Sequence, residues 1–285
     1  MSFQFNFSFE DQNISADDPQ DDKPSLESKD LETAKEIPSK VTEEILAAEY
    51  EVLDVNKAVA IRCLRSKSVE EKLSSLSDDN CIKKTVENHS DLIPNVYEGG
   101  LKIWECSVDL VEHLCETRVP LKGLSVLELG CGAGLPGIYA LQQQAHHVCF
   151  QDFNEEVISH LTIPNVSLNV DSETMSQKCR FLSGGWSQTG SDLIPSERYD
   201  IILTAETIYN TESVPSLYKL MRRGLKPGGT IFVAAKTHYF GVGGGTRLFE
   251  QYVHNQGDFT VTTCKKITGG VQREILKMNW NAEAR

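Results

Sequence analysis

Downstream of about residue 95, short apolar segments alternate with segments whose apolar residues recur every three or four positions. The short segments are typical of buried strands, and the longer repeat is typical of amphipathic helices. Their alternation predicts an α/β domain built on a largely parallel sheet. We therefore expect a folded domain over residues 89–285, preceded at 1–88 by a separate N-terminal region.

Five apolar segments are predicted strands: LSVLELGCG at 124–132, HVCFQDF at 147–153, CRFLSGGW at 179–186, YDIILTAE at 199–206 and GGTIFVAAK at 228–236. WECSVDLVEHLCE at 104–116 and LPGIYALQQQ at 135–144 are predicted helices. We expect the first of them to bury one face, formed by Trp104, Val108, Val111 and Cys115. The apolar runs at 258–267 and 271–280 flank a glycine pair and predict a C-terminal hairpin, in which one strand is antiparallel to its neighbour.

The N-terminal region has a different composition. Residues 10–40 are rich in Asp, Glu, Ser, Lys and Pro and cannot bury enough apolar surface to offset the entropy of ordering, so we predict disorder there. Residues 41–77 carry a weak helical pattern, and region 1–88 is thus expected to be largely disordered or partly helical. Four phenylalanines alternate with polar residues at its start, which favours either a strand added to a partner's sheet or a tail packed on its own domain: Phe3, Phe5, Phe7 and Phe9.

The charge is concentrated in the same region. Residues 1–54 hold 15 acidic and 4 basic side chains, whereas residues 55–285 hold 26 acidic and 24 basic ones, within a chain of net charge −13. A nearly neutral body argues against a broad basic surface for nucleic acid, and no apolar run is long enough to span a membrane. We expect a soluble monomer without direct contact to nucleic acid or membrane.

The cysteines point to a reducing compartment. The first twelve residues lack the basic and apolar segments of a secretory signal, and the eight cysteines form no CxxC pair. We interpret them as reduced thiols, mostly in the core, rather than as disulfides or metal ligands. The seven histidines show no ligand spacing, so we predict no metal site.

Candidate chemistry is concentrated where the first strand meets its helix. Glu128 precedes a glycine-rich loop, Gly130 to Gly134, and Asp152 ends the next strand, 22 positions beyond Gly130. Glycines let a ligand approach the backbone, and a carboxylate at this distance in a βαβ unit meets ribose hydroxyls. The unit is therefore expected to bind an adenosine-bearing cofactor.

The identity of that cofactor stays open between two classes. Gly132, Gly134 and Gly137 match the dinucleotide pattern G-x-G-x-x-G literally. An acidic residue ahead of the loop, here Glu128, instead suits S-adenosylmethionine, whose ammonium and sulfonium groups are positive. A structural glycine turn without any ligand is the third interpretation.

Several segments together resemble the seven-β-strand S-adenosylmethionine-dependent methyltransferases. They are HSDLIPNVYEGGLKIWECS (89–107), VLELGCGAGLPG (126–137), FQDFN (150–154), FLSGGW (181–186), ILTAETIYN (202–210) and KTHYFGVGGG (236–245). Within that superfamily the chain is similar to the protein-histidine methyltransferases that act on a large-subunit ribosomal protein. The resemblance implies a Rossmann-like sheet of seven strands, S-adenosylmethionine as cofactor, and a role in ribosome biogenesis or translation.

The same resemblance implies a location and site residues. It implies the cytoplasm and the nucleus, including the nucleolus, although residues 171–178 form a short polar link where relatives can carry a basic import signal. In the catalytic centre Glu206 would orient the target ring and Tyr209 would close the pocket. The implied cofactor-binding residues are Ile103, Trp104, Glu105, Cys106, Ser107, Glu128, Gly130, Gly132, Gln151, Asp152, Phe153, Gly184, Gly185, Trp186 and Ala205.

Other interpretations of these residues remain. Glu206 could cap the segment that follows it, and the loop from His238 to Gly245 could act as a gate over the target peptide. Glu-x-x-Tyr is also close to the Asp-x-x-Tyr of related protein-lysine methyltransferases, so lysine is an alternative target. In a further alternative, the chain is a cofactor-binding scaffold without turnover.

Overall fold

The computed structural model describes residues 34–40, 49–76, 92–93, 96–189 and 193–282. Its strands are β1 (Lys35–Glu36), β2 (Tyr50–Val55), β3 (Val59–Leu64), β4 (Ser125–Leu129), β5 (His147–Asp152), β6 (Cys179–Ser183), β7 (Tyr199–Ala205), β8 (Leu225–Lys236), β9 (Phe259–Ile267) and β10 (Arg273–Trp280). Its helices are α1 (Ser66–Leu76), α2 (Glu105–Glu116), α3 (Leu135–Gln142), α4 (Glu155–Val157), α5 (Ile163–Asn169), α6 (Ser172–Lys178), α7 (Val214–Gly224) and α8 (Thr246–Gln256). A π-helical turn, Ile158–Thr162, joins α4 to α5.

One large sheet organises the molecule, with the strand order β1-β6-β5-β4-β7-β8-β10-β9. The strands from β6 to β8 in this order are parallel, and β10 is antiparallel to both β8 and β9. The predicted α/β class and the antiparallel C-terminal hairpin are therefore confirmed. The sheet contains eight strands rather than seven because β1 adds an antiparallel strand beside β6, with Lys35 opposite Ser183.

The core lies on both faces of this sheet. Successive residues of a strand point to opposite faces, so Val126 joins the core on one side while Leu127 and Leu129 join the core on the other. Helices α2 and α3 cover the first face, and α7 and α8 cover the second. The central strands are thus covered on both sides, which explains their nearly continuous apolar sequence.

The N-terminal region is more ordered than its composition predicts. Residues 34–40 carry β1, and β2 pairs with β3 in a separate antiparallel hairpin whose turn holds Asn56 and Lys57 at positive φ. Ile61 and Cys63 are buried, and the side chains of Asn165 and Asn169 accept hydrogen bonds from the backbone of β3. The expectation of a largely disordered or partly helical region is therefore wrong for residues 34–40 and 50–64, because these strands gain contacts with the domain that composition does not reveal.

Other N-terminal predictions have separate outcomes. A helix does form at the end of the weakly patterned segment, as α1. The phenylalanine-alternating start, residues 10–33 and residues 41–48 lie outside the described residues. Among the helices that the structure describes, none combines the length and the apolar character that crossing a bilayer requires.

Candidate functional site

A cavity of about 350 Å³ opens at the carboxyl ends of β4 to β7. The strand order reverses here, since β5 lies on one side of β4 and β7 on the other. Open α/β sheets bind ligands at such a reversal because the connections diverge and leave a crevice. The cavity is lined from the loop before α2, the glycine loop after β4, the ends of β5 and β6, and the segment after β7.

The glycine loop forms one wall of the cavity. Gly130 and Gly132 adopt positive φ angles of 60° and 47°. A Cβ at Gly130 would lie 2.5 Å from a methyl carbon of Thr207, and a Cβ at Gly132 would lie 3.0 Å from the carbonyl oxygen of Gly100. Both positions therefore require glycine for space as well as for conformation.

Glu128 fills the N-terminus of α3. Its Oε2 accepts a hydrogen bond of 2.8 Å from the backbone N–H of Gly137, in the first turn of that helix. This is the position in which a dinucleotide fold holds its pyrophosphate, because free N–H groups at a helix start bind anions. Since a protein carboxylate already occupies it, the geometry disfavours the dinucleotide interpretation. Burial raises the pKa of Glu128 well above its usual range.

Asp152 lies at the end of β5 and also lines the cavity. Its Oδ2 accepts a hydrogen bond of 2.8 Å from the backbone N–H of Gly132, and its Oδ1 accepts a longer one from Asn154. Burial raises the pKa of Asp152 to about 6, although these backbone donors oppose the shift. The carboxyl group is thus held in a fixed direction at the strand end.

The residues that line the cavity fit S-adenosylmethionine. Five carboxyl groups line it, those of Glu98, Glu128, Asp152, Glu206 and Glu212, and carboxyl groups suit a ligand with two positive groups and a ribose. Trp104 adds an aromatic face, and the glycine loop leaves room for a ligand against the backbone. These residues would hold the cofactor, with Asp152 at the ribose hydroxyls.

The loop after β6 closes the far end of the cavity. Gly184, Gly185 and Trp186 line it, and the indole N–H of Trp186 donates a 2.9 Å hydrogen bond to Oε1 of Gln151. The amide of Gln151 in turn donates to the carbonyl oxygen of Gly184 at 2.7 Å. Gln151 therefore holds the wall in place from behind rather than lining the cavity.

Most of the cofactor-binding residues predicted from the sequence line this cavity: Ile103, Trp104, Ser107, Glu128, Gly130, Gly132, Asp152, Phe153, Gly184, Gly185, Trp186 and Ala205. Glu105, Cys106 and Gln151 do not. Because α2 begins at Glu105, Trp104 and Ser107 lie one turn apart on the cavity side, whereas the two residues between them turn away. Glu105 pairs with Arg273 at 3.0 Å, and Cys106 is fully buried.

Several lining residues were not predicted. They are Glu98, Gly99, Gly100, Lys102, Cys131, Ala133, Leu135, Ser187, Gln188, Thr207, Asn210, Glu212, Ser213 and Ser216. Two consecutive glycines, Gly99 and Gly100, are a sequence feature that could have indicated close approach of the backbone to the site. In the structure, a Cβ at Gly100 would lie 3.1 Å from Oδ1 of Asp152. The residues from Glu212 to Ser216 are polar positions of a loop and a helix start, and sequence alone does not distinguish them from ordinary surface.

The two predicted catalytic residues both line the cavity. The hydroxyl of Tyr209 donates a short hydrogen bond to the Glu98 carboxylate, so Tyr209 connects the segment after β7 to the loop before α2. Glu206 accepts a hydrogen bond from the hydroxyl of Tyr239 rather than capping the segment after it. The loop predicted as a gate is tied down at its C-terminal end, because the N–H groups of Gly244 and Gly245 donate to the carbonyl oxygens of Tyr209 and Ile208.

The described residues contain no cluster of three or more His, Cys, Asp or Glu side chains able to hold a metal ion. Their cysteines are all free thiols, buried or half-buried except for the exposed Cys264. The functional groups that the described residues offer are therefore the acidic and hydroxyl side chains that line the cavity.

Comparison with known proteins points to methyl transfer. A family model described as "Lysine methyltransferase" matches residues 94–242. The histidine protein methyltransferase 1 homolog of Bos taurus is 37% identical over 92% of this chain and 75% of its own length. The homolog from Dictyostelium discoideum is 44% identical over 66% of this chain and 60% of its own length.

A solved structure of similar topology is the magnesium protoporphyrin IX methyltransferase of Synechocystis, described with bound SAH. It is 14% identical, covers 75% of this chain and 94% of its own, and superposes with a TM-score of 0.47.

Proposed function

This chain belongs to the histidine protein methyltransferase family and is an S-adenosylmethionine-dependent protein methyltransferase, and we propose that it methylates a histidine of a large-subunit ribosomal protein. The scaffold interpretation is set aside, because the family is one of enzymes. When bound, S-adenosylmethionine supplies a methyl group on a positively charged sulfonium, whose C–S electron pair leaves with the sulfur.

One observation carries the choice of histidine. Glu206 lines the cavity at 8% exposure, and its Oε1, which is itself buried, accepts no hydrogen bond from the described residues. A neutral imidazole has one N–H donor and one lone pair, and its unperturbed pKa near 6.5 leaves it neutral at pH 7. An acceptor that holds the N–H therefore leaves the opposite nitrogen free to receive the methyl group.

The remaining work of the protein is positioning and exclusion of water. Transfer to a bound nucleophile requires the reacting atoms to be about 3 Å apart and aligned, and such alignment supplies several kcal/mol of the barrier. Glu206 would orient the ring, while Tyr209, held by Glu98, would form the adjoining wall. Both residues come from the segment directly after β7, so the sheet fixes their position.

The ribosomal substrate is supported by the sequence resemblance and by charge. Ribosomal proteins are basic, and residues 1–54 of this chain hold 15 acidic against 4 basic side chains. The acidic region would attract such a substrate. We place the enzyme in the cytoplasm and nucleus, where ribosomal proteins are made and assembled.

The function is tested by incubating the full chain with radiolabelled S-adenosylmethionine and large-subunit ribosomal proteins. Amino-acid analysis of the labelled protein should yield methylhistidine. Methyllysine would establish the alternative target that the description of the matching family model favours. Label confined to proteins outside the large subunit would overturn the proposed substrate.

The proposed roles of Glu206 and Tyr209 are tested by Glu206→Gln and Tyr209→Phe. We expect turnover to fall at least about tenfold in each variant, while the affinity for S-adenosylmethionine changes by less than about threefold. Tyr218→Phe is the control, because Tyr218 is also a tyrosine that donates to a carboxylate, that of Asp258, and lies away from the cavity. Turnover equal to that of the control in both variants would remove these residues from the mechanism.

A further inference from the structure

We propose that Tyr239 and Lys236 are positioning residues that fix the direction of the Glu206 carboxylate and thereby select which imidazole nitrogen is methylated. This inference rests on the proposed function, in which the target is histidine. It adds two residues from the end of β8 and the loop beyond it to a site otherwise built from the loop before α2 and the segments after β4, β5, β6 and β7.

The backbone of Glu206 is held in an unusual conformation. Its φ angle is 58°, in the left-handed region that a side-chain-bearing residue seldom occupies. Its N–H donates a 3.0 Å hydrogen bond to the carbonyl oxygen of Ala234 in β8, so pairing with the neighbouring strand maintains the conformation. Strained residues of this kind persist where the surrounding structure fixes them, and they are common at functional sites.

The hydroxyl of Tyr239 is fixed in direction. It accepts a hydrogen bond of 3.3 Å from the backbone N–H of Lys236 and donates one of 2.5 Å to Oε2 of Glu206. Burial raises the pKa of Tyr239 well above its usual range, and the Glu206 carboxylate adds to the shift, so the phenol keeps its proton. Oε2 of Glu206 therefore accepts a hydrogen bond from a hydroxyl whose direction is fixed.

Lys236 lies beside the other oxygen. Its ammonium nitrogen is 3.6 Å from Oε1 of Glu206, beyond hydrogen-bond distance but close enough for attraction between the charges. The same nitrogen lies 5.2 Å from the ring centre of Trp104 and 5.4 Å from that of Tyr239, so both aromatic faces favour its charge. Lys236 is 7% exposed, and its charge is thus screened little by water.

Together these contacts fix the carboxylate in one orientation. Oε2 is held by Tyr239 and the buried Oε1 lies against Lys236, so Glu206 presents one fixed edge to a ring N–H in the cavity. The lone pair of the opposite nitrogen then forms the new N–C bond as the methyl–sulfur bond breaks, and its electron pair stays on sulfur. The methylated ring becomes a cation, and its N–H proton leaves towards Glu206. Rotation of the carboxylate would allow either ring nitrogen to face the methyl group.

The test compares Tyr239→Phe, Lys236→Met and Lys236→Arg with the native enzyme. The substrate is the protein labelled in the preceding assay, and three quantities are measured: kcat, the Kd for S-adenosylmethionine, and the ratio of the two methylhistidine isomers after hydrolysis. We expect Tyr239→Phe and Lys236→Met to lower kcat by about tenfold and to raise the minor isomer at least about threefold, with Kd within about threefold. Lys236→Arg keeps the charge and should restore most of the isomer ratio.

Matched controls separate positioning from stability. Tyr218→Phe removes a part-buried phenol–carboxylate bond, and Lys226→Met removes the ion pair of Lys226 with Asp200, both outside the cavity. The inference is overturned if the native enzyme forms methylhistidine while the test variants match these controls in kcat and isomer ratio. A native enzyme that labels no histidine overturns the proposed function itself, and this inference with it.

Discussion

Asp152 links proton binding to cofactor binding at the scale of one residue. Burial raises its pKa to about 6, so at pH 5 most of the carboxyl groups carry a proton. Two ribose hydroxyls donate best to the ionised form, and a ligand that requires ionisation must displace that proton. We expect the affinity for S-adenosylmethionine to fall about tenfold between pH 7 and pH 5, measured by isothermal titration calorimetry.

Asp152→Asn is the control for this pH dependence. We expect it to bind S-adenosylmethionine more weakly, with an affinity that changes less between pH 7 and pH 5.

Without ligand, the folded state holds a proton on Asp152 between about pH 4 and pH 6 that the unfolded state releases. The free energy of unfolding should therefore decrease as pH rises through this window, and less so in Asp152→Asn. Glu128, whose pKa is also raised by burial, leaves a residual slope. If the free energy of unfolding of the native chain falls no more steeply with pH than that of Asp152→Asn, the raised pKa of Asp152 is contradicted.

Spacing along the chain was enough to predict Glu128, the glycine loop and Asp152, because one βαβ unit brings them together. The pairing of Glu206 with Tyr239 spans 33 positions, and that of Tyr209 with Glu98 spans 111. Such contacts depend on how strands are ordered in the sheet, which no local pattern specifies. The supporting residues of the site were therefore beyond sequence reasoning, while its cofactor loop was not.

At the scale of elements, the start of α3 shows why the third glycine of the motif is there. A Cβ at Gly137 would lie 2.3 Å from a ring carbon of Phe150 and 2.6 Å from Oε2 of Glu128. Gly137→Ala should therefore lower the free energy of unfolding by about 1–3 kcal/mol through overpacking, as measured by urea denaturation. Gly269→Ala is the matched control, because nothing lies within 4 Å of its Cβ position. Equal stability of the two variants would show that α3 shifts without cost.

Helix α2 forms where the sequence predicts it, and its predicted face is right only in part. Val111 is fully buried, and Val108 and Cys115 pack partly buried against the core. The other fully buried apolar residues of the helix are Cys106, Leu110 and Leu114. Trp104 precedes the helix and lines the cavity instead. An apolar residue that lines a ligand site fits the helical pattern although it does not face the core. Periodicity alone therefore gives the orientation of the helix about its own axis only in part.

Strand β1 was not predicted from the sequence, since a strand of two residues gives no period. Ile37 is buried, Glu36 pairs with Arg180 at 2.6 Å, and Lys35 pairs with Glu155. Removing residues 1–40 should lower the free energy of unfolding by about 1–3 kcal/mol, mostly through the lost burial of Ile37, while removing residues 1–33 leaves these contacts intact. Urea denaturation of the two truncated chains measures the difference, and equal loss in both would contradict a stabilising role for β1.

At the scale of the whole molecule, the structure moves the boundary between acidic tail and folded body. The charge count alone suggested an acidic segment ending near residue 54, but β1 and most of β2 lie before that point and belong to the fold. Residues 1–33 hold 9 acidic and 2 basic side chains, a net charge of −7 out of −13. A truncation at residue 33 therefore removes about half of the charge without removing a described strand.

This truncation tests whether the tail attracts the substrate. If it does, removing residues 1–33 should raise KM for a basic ribosomal substrate severalfold at about 50 mM salt, and the difference should shrink below twofold near 0.5 M, where the Debye length falls to about 4 Å. The Kd for S-adenosylmethionine should stay unchanged. A full-length chain in which the nine acidic residues of 1–33 are replaced by Asn and Gln separates charge from the four phenylalanines. If that chain keeps the native KM at low salt while the truncated chain loses it, the phenylalanines capture the substrate and electrostatic attraction by the tail is excluded.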